Sequence, residues 1–182
     1  FVIVCSYQDP KILELILRHP NFPQGTEVVT SELSGISWDK ICKGKSHAEM
    51  RKAVMQMAHA RISSALCKIS EKKRVSLWLG LPIAEGEGRG HFTKCYNAYV
   101  LFEDGNPRFF HRKRHLFNKK GVFMEGEVFD TPPVYDGHFD GRTILICHEM
   151  QGFYDTRFKG CRLPEVRARE PRLAIVPAVW TA

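Results

Sequence analysis

Long apolar segments are missing from this 182-residue sequence, and its first residue is not methionine. No apolar run approaches the ~18 residues that a membrane span requires, so we predict no association with membranes. The N-terminal run FVIVC has no basic segment before it and no small-residue cleavage site after it, which is not the pattern of a signal peptide. Because the first residue is Phe1, we expect a processed chain or a fragment.

Metal-binding patterns are also missing. The six cysteines form no CxxC pair, and their spacings match no zinc template. His47, His59 and His91 likewise lack the spacing of metal ligands. Three of the cysteines lie within apolar runs, where a thiol behaves as a small hydrophobic group. We therefore predict a reduced, cytoplasmic protein with no metal and no organic cofactor.

Concentrated charge of one sign is absent as well. Basic residues outnumber acidic residues by 27 to 20, which gives a net charge of +7 that could favour anionic partners. The basic residues are scattered in short groups and form no arm interleaved with aromatic residues. We therefore predict no nucleic-acid binding, which would require a contiguous positive face.

What the sequence does contain is the composition of one packed domain, with 43% apolar and 26% charged residues. Strand-like and helix-like segments alternate, which is the pattern of an α/β layer fold. We predict strands at 1–6, 27–30, 75–79, 96–102, 108–113, 144–147 and 173–176, and helices at 10–20 and 46–69. The second helix begins with the capping-box spacing of Ser46 and Glu49. Asp104-Gly105 predicts a hairpin turn, and segment 118–142 is typical of a loop.

Three polar residues follow or end apolar strand-like runs. Glu32 follows residues 28–31, Lys113 ends the run through Phe109 and Phe110, and Cys147 follows residues 144–146. The end of a strand is where a rigid sheet can hold a side chain at the rim of a pocket. Taken singly, each residue also has a structural explanation: an acid that caps a turn, a surface lysine and a core cysteine.

The order of the segments around these residues resembles the nitrilase superfamily of carbon–nitrogen hydrolases. Residues 28–35 (VVTSELSG) are similar to its first motif, in which hydrophobic residues lead to Pro-Glu-Leu and a glycine, with Ser31 in the proline position. Residues 111–117 (HRKRHLF) are similar to its Tyr-x-Lys-x-His-Leu-Phe motif, with His111 in the tyrosine position. Three further segments occur in family order: 79–82 with 96–98 (LGLP and YNA), 141–149 (GRTILICHE) and 175–180 (IVPAVW).

The resemblance implies an α/β fold, an α-β-β-α sandwich with mixed sheets, and a set of site residues. It implies Glu32 as general base, Lys113 as the group that stabilises the oxyanion and Cys147 as nucleophile. A second glutamate is implied after the lysine motif, with Glu125 as the best match and Glu127 as the alternative.

Two residues follow the nucleophile in the same motif. The resemblance implies that the backbone N–H of His148 faces the oxyanion and that Glu149 lies beside the substrate. No cofactor is implied, and a homo-oligomer is expected.

The chain departs from the family pattern after Cys147 and in its length. Leu163-Pro164-Glu165 comes late, which indicates an insertion or a rearranged loop beside the nucleophile. The substrate therefore stays open between small amides, nitriles and carbamoyl compounds, with an amidase favoured over a nitrilase. Family domains continue beyond the segment that ends at Trp180, so we expect residues 1–182 to be a single hydrolase domain without its C-terminal part. The alternative is an inactive, truncated member that serves as a scaffold or interaction subunit.

Overall fold

The protein is represented by a computed structural model that describes residues 2–5, 10–34, 36, 43–59, 64–86, 94–114, 116, 121–124, 138–139, 142–144, 146–147 and 173–178. The described elements, in chain order, are β1 (Val2–Cys5), α1 (Pro10–Arg18), β2 (Glu27–Thr30), α2 (His47–His59), α3 (Ser64–Lys73), β3 (Ser76–Glu85), β4 (Lys94–Glu103), β5 (Asn106–Arg112), β6 (His138–Phe139), β7 (Arg142–Ile144) and β8 (Leu173–Ile175). No described helix is long and apolar enough to cross a membrane.

The larger sheet contains five strands in the order β1-β2-β3-β4-β5. Strands β1, β2 and β3 run parallel, whereas β3, β4 and β5 form an antiparallel meander. Strand β3 lies at the centre, and its residues 77–82 are buried. This burial on both faces explains its nearly continuous apolar sequence.

A smaller sheet of three strands, in the order β6-β7-β8, packs against the larger one. Strands β6 and β7 are antiparallel, and β7 and β8 are parallel, so both sheets are mixed. The side chains between the two sheets form what we call the inner cluster: Val29, Trp78, Tyr99, Leu101, Phe109, Ile144, Ile146 and Ile175.

Helices α1 and α3 cover the opposite face of the larger sheet. Leu13 and Leu17 of α1 and Ile69 of α3 pack against the alternate side chains of β3 and β4. Because successive residues of a strand point to opposite faces, Leu77 faces these helices while Trp78 faces the inner cluster. The described residues therefore form three consecutive layers, α-β-β, of the expected sandwich.

The predicted helix 46–69 corresponds to two helices. Its capping box is present, since the backbone N–H of Ser46 donates to Glu49 Oε2 at 2.8 Å. The first helix ends at His59 and the second continues to Lys73, four residues beyond the prediction. The apolar pattern suggested one helix, but Val54 and Ile69 pack in different clusters. A periodic apolar stripe does not reveal that its two halves contact different parts of the core.

All but one of the strand predictions were confirmed in position, although not always in extent. Strand β3 continues six residues past Leu79 through Gly80 and Pro82. Its described pairing with β2 ends at Trp78, and an unpaired edge tolerates proline. The predictions at 96–102, 108–113 and 173–176 differ from β4, β5 and β8 by one or two residues at their ends. The strand predicted at 144–147 was displaced, because β7 spans Arg142–Ile144 and shares only Ile144 with the prediction. The prediction of a loop throughout 118–142 was wrong at its end, because β6 forms there by pairing with β7.

Candidate active site

Glu32 lies in a turn directly after β2. The turn is closed by a hydrogen bond from Ser34 N to Ser31 O at 3.2 Å, and Leu33 adopts a φ of 58°. A positive φ is uncommon for a branched side chain, and the burial of Leu33 holds it in place. Only 2% of Glu32 is exposed to solvent. The carboxylate is therefore held inside the protein by its turn.

Lys113 and Asn97 meet this carboxylate. Lys113 Nζ lies 2.7 Å from Glu32 Oε1, and Asn97 Nδ2 donates to the same oxygen at 2.5 Å. Asn97 lies in β4, and Lys113 follows β5. Because β4 is antiparallel to both β3 and β5, the start of β4 and the ends of β2 and β5 share one edge of the sheet. Strand direction thus brings together three residues that are distant in sequence.

The arrangement is a buried ion pair. The side chains of Lys113 and Glu32 are 3% and 2% exposed, respectively. Removing either charge from water costs several kcal/mol, and the opposite charge together with further hydrogen bonds offsets this cost. Such pairs contribute little net stability but are expensive to break. An ammonium group held in this way is a fixed positive charge beside a carboxylate, which is what stabilising a developing anion requires.

Cys147 lies just beyond β7 and is half-buried. Its backbone adopts a φ of 49°, a conformation that non-glycine residues seldom occupy and that often occurs at functional sites. Its backbone N–H donates to Pro177 O at 2.8 Å. That N–H is therefore already engaged within the protein, and any oxyanion donor must come from another group.

The inner cluster connects Cys147 with the turn that carries Glu32. Cys147 packs against this cluster, which also contains Val29 of β2 and Tyr99 of β4. The Tyr99 hydroxyl in turn donates to the backbone carbonyl of Thr30 at 2.6 Å. The segment just beyond β7 that carries Cys147 and the turn with Glu32 are thus held by the same packed side chains.

The remaining cysteines differ in their chemistry. Burial raises the pKa of the Cys95 thiol to about 12, and burial also raises the pKa of Cys67. Both thiols stay protonated near neutral pH and are weak nucleophiles. Cys67, Cys95 and Cys147 form no disulfide bond in the structure.

Four predicted site residues, Glu125, Glu127, His148 and Glu149, lie outside the described residues. The sequence did not assign a role to Asn97, although the segment 96–98 contributed to the resemblance. The alternation of strand residues could have indicated it, because Asn97 and Tyr99 are two positions apart and their side chains point to the same, inner face. Among the described residues, no three His, Cys, Asp or Glu side chains come together as a metal site.

No protein-family model matches this chain, and no curated protein matches it by sequence. Solved structures do resemble it. A carbon–nitrogen hydrolase from Helicobacter pylori has a TM-score of 0.57 and 19% identity, and the match covers 97% of this chain and 59% of that one. A mutant of a Nesterenkonia amidase from the nitrilase superfamily has a TM-score of 0.61 and 18% identity, with 100% and 65% coverage. This chain has the nitrilase fold.

Two further neighbours show chemistry in their own sites. Another mutant of the Nesterenkonia amidase, at 20% identity and a TM-score of 0.62, carries the acetamide moiety of fluoroacetamide covalently added at its active-site cysteine. An N-terminal amidase with a Gln-Gly peptide has 14% identity and a TM-score of 0.63, with 98% of this chain and 47% of that one covered. The nitrilase fold of this chain thus spans between about half and two thirds of the length of these neighbours.

Proposed function

We propose that residues 1–182 are part of a single carbon–nitrogen hydrolase domain that cleaves small amides through a cysteine thiolate. The observation that carries the proposal is the buried pair of Glu32 and Lys113, whose charged groups lie 2.7 Å apart at one edge of the sheet in a nitrilase fold. Burying two charges costs desolvation free energy, and buried charged groups of this kind cluster at functional sites.

In the proposed reaction, Glu32 takes the proton from the Sγ–H of Cys147, and the sulfur attacks the amide carbon. The carbonyl π electrons move to oxygen, and the ammonium of Lys113 stabilises the negative charge. The C–N bond then breaks as Glu32 returns the proton to nitrogen. The products of this half-reaction are ammonia, or an amine, and a thioester on Cys147.

The second half-reaction hydrolyses this thioester. Glu32 takes a proton from water, and the resulting hydroxide attacks the thioester carbon. The C–S bond breaks, the proton returns to sulfur, and a carboxylic acid leaves as its carboxylate after losing a proton to solvent. Within the proposal, the backbone N–H of His148 and the side chain of Lys113 face the oxyanion in both halves, and a second glutamate at Glu125 or Glu127 orients the lysine.

We favour an amide over a nitrile as substrate. The Nesterenkonia amidase was crystallised as mutants with butyramide and with acrylamide, which are small primary amides. A homo-oligomer stays a prediction for this chain. The competing function is that of an inactive scaffold or interaction subunit.

The rate of Cys147 alkylation by iodoacetamide, measured against pH under native conditions, tests the proposal. We expect Cys147 to react at least about tenfold faster than Cys67 and Cys95 at pH 7 to 8, because only an activated thiol is substantially ionised there. Glu32→Gln should slow this labelling, and Cys147→Ser should abolish it. Mass spectrometry of the digested protein assigns the label to each cysteine.

Ammonia release from butyramide, acrylamide and butyronitrile then separates amidase from nitrilase activity. Turnover of the amides with none of the nitrile supports the amidase. If Cys147 reacts no faster than the other cysteines and no ammonia appears, the hydrolase proposal is wrong, and the scaffold function is favoured.

A further inference from the structure

The backbone before Glu32 is held by a side chain where strand pairing stops. The described pairing between β2 and β3 ends at Val29 and Trp78. At the next residue, the backbone N–H of Thr30 donates to the Tyr99 hydroxyl at 3.1 Å, and the same hydroxyl donates to the Thr30 carbonyl at 2.6 Å. One phenol thus satisfies both peptide groups of a residue that is 2% exposed.

The ring of Tyr99 is itself fixed. It stacks on Trp78 with ring centroids 6.1 Å apart, and Trp78 makes an edge contact with Phe109 at 5.8 Å. All three rings belong to the inner cluster and are fully buried. The packing of these rings between the two sheets therefore fixes the position of the Tyr99 hydroxyl.

The Thr30 side chain extends this contact into the Glu32 turn. Thr30 Oγ1 donates to Trp78 O at 2.8 Å and accepts from Ser34 Oγ at 2.5 Å. Ser34 closes the turn that carries Glu32. The turn is consequently tied at its start through Tyr99 and at its end through Ser34, with Glu32 between the two ties.

The turn also rests directly on β3. A Cβ placed on Gly80 would stand 2.5 Å from Leu33 N and 2.7 Å from Ser31 O, both backbone atoms. These distances are shorter than real carbon contacts, so only glycine permits the turn to lie this close. Gly80 permits the close approach of the turn to β3, and the Tyr99 hydroxyl holds the residue at its start.

We propose that Tyr99 is a positioning residue that acts through Glu32: its hydroxyl sets the Glu32 turn so that the carboxylate reaches Lys113 and serves the Cys147 thiol. This inference rests on the proposed function. The Tyr99 hydroxyl bonds to the backbone of Thr30, so its effect on Cys147 reactivity passes through Thr30 and the turn. A displacement of a reacting group by ~1 Å can cost on the order of 10²-fold in rate.

A double-mutant cycle on Cys147 alkylation by iodoacetamide at pH 7.5 tests this role. We expect Tyr99→Phe to slow labelling by about 10-fold to 100-fold while keeping the ring in the cluster. In the Glu32→Gln background the same substitution should cause no further loss, because the carboxylate that it positions is already absent. If the losses from Tyr99→Phe and Glu32→Gln multiply, or if Tyr99→Phe alone has no effect, the positioning role is wrong.

Two further variants guard against a loss of folding. Ser34→Ala removes only the hydrogen bond from Ser34 Oγ to Thr30 Oγ1, so we expect a smaller loss in the rate of Cys147 labelling that also depends on Glu32. A further loss from Ser34→Ala in the Glu32→Gln background would contradict the proposal. Ser70→Ala serves as the matched control, because Ser70 Oγ donates to Val75 O at 2.7 Å in an equally buried site on α3. It should leave Cys147 labelling unchanged.

The cycle also separates the hydrolase function from the positioning role of Tyr99. If Glu32→Gln itself leaves Cys147 labelling unchanged, the proposed function fails, whatever Tyr99→Phe does. If labelling depends on Glu32 but not on Tyr99 or Ser34, the hydrolase stands and the positioning role is overturned.

Discussion

Replacing Lys113 by methionine is the most direct test of the buried ion pair. Methionine has a similar length and no charge, so the substitution removes the ammonium and keeps most of the apolar stem. Glu32 would remain 2% exposed, with its carboxylate facing Asn97 and no lysine. The sequence alone allowed Lys113 to be a surface charge, and the two possibilities predict different stabilities.

The separation of the two charges determines the expected loss of stability in Lys113→Met. At a separation of 2.7 Å and an effective dielectric constant of about 20, the gross attraction is about 6 kcal/mol. Measured losses on breaking a buried pair are about 3–5 kcal/mol, because one charge stays buried without its partner. The amide of Asn97 still donates to Glu32, so we expect the lower end, about 3 kcal/mol. For a chain of this length, that corresponds to a fall in Tm of about 6–12 °C.

Urea unfolding followed by circular dichroism measures this loss, with Lys72→Met as the matched control. Lys72 is exposed on α3, and its substitution should change the free energy of unfolding by less than about 0.5 kcal/mol. The double variant Glu32→Gln with Lys113→Met should lose about 1–3 kcal/mol less than the sum of the two single losses, and this difference is the coupling energy. A loss below about 1 kcal/mol in Lys113→Met would contradict a buried ion pair, since that is the value of a solvated surface pair.

Three further outcomes follow from other contacts. Gly80→Ala should unfold at lower urea concentration and lose fast Cys147 labelling, because its methyl group would stand 2.7 Å from the Ser31 carbonyl oxygen. Cys95 should resist iodoacetamide at pH 8 until the protein is denatured, because burial raises its pKa to about 12; native labelling detected by mass spectrometry would contradict this. Hydrogen bonds from Ser46 lower the pKa of Glu49 below 4.5. The stabilisation from the ionised Glu49 carboxylate is therefore present above pH 4.5 and is lost as the pH falls through the lowered pKa. A carboxyl NMR titration that gives Glu49 a pKa of 4.5 or higher would contradict this prediction.

Local sequence determined much of the secondary structure. The apolar run at β2 gave a strand with the predicted bounds, and Asp104-Gly105 gave the hairpin between β4 and β5. The capping-box spacing produced the hydrogen bonds that begin α2. These features depend on neighbours within a few residues, so a local pattern carries the information. The order of the motifs also indicated the nitrilase fold, which the structural comparisons support.

The contacts around Glu32 were decided only by the tertiary structure. Asn97 and Lys113 lie 65 and 81 positions away from Glu32, and Tyr99 lies 69 positions from Thr30. The sequence indicated Glu32 and Lys113 as candidates but gave Asn97 and Tyr99 no role. Hydrophobic periodicity states which face of a strand is buried, whereas the partner of a buried polar group depends on strand order, direction and register. Those three properties arise only when the sheet assembles, because each pairs segments that no local pattern connects.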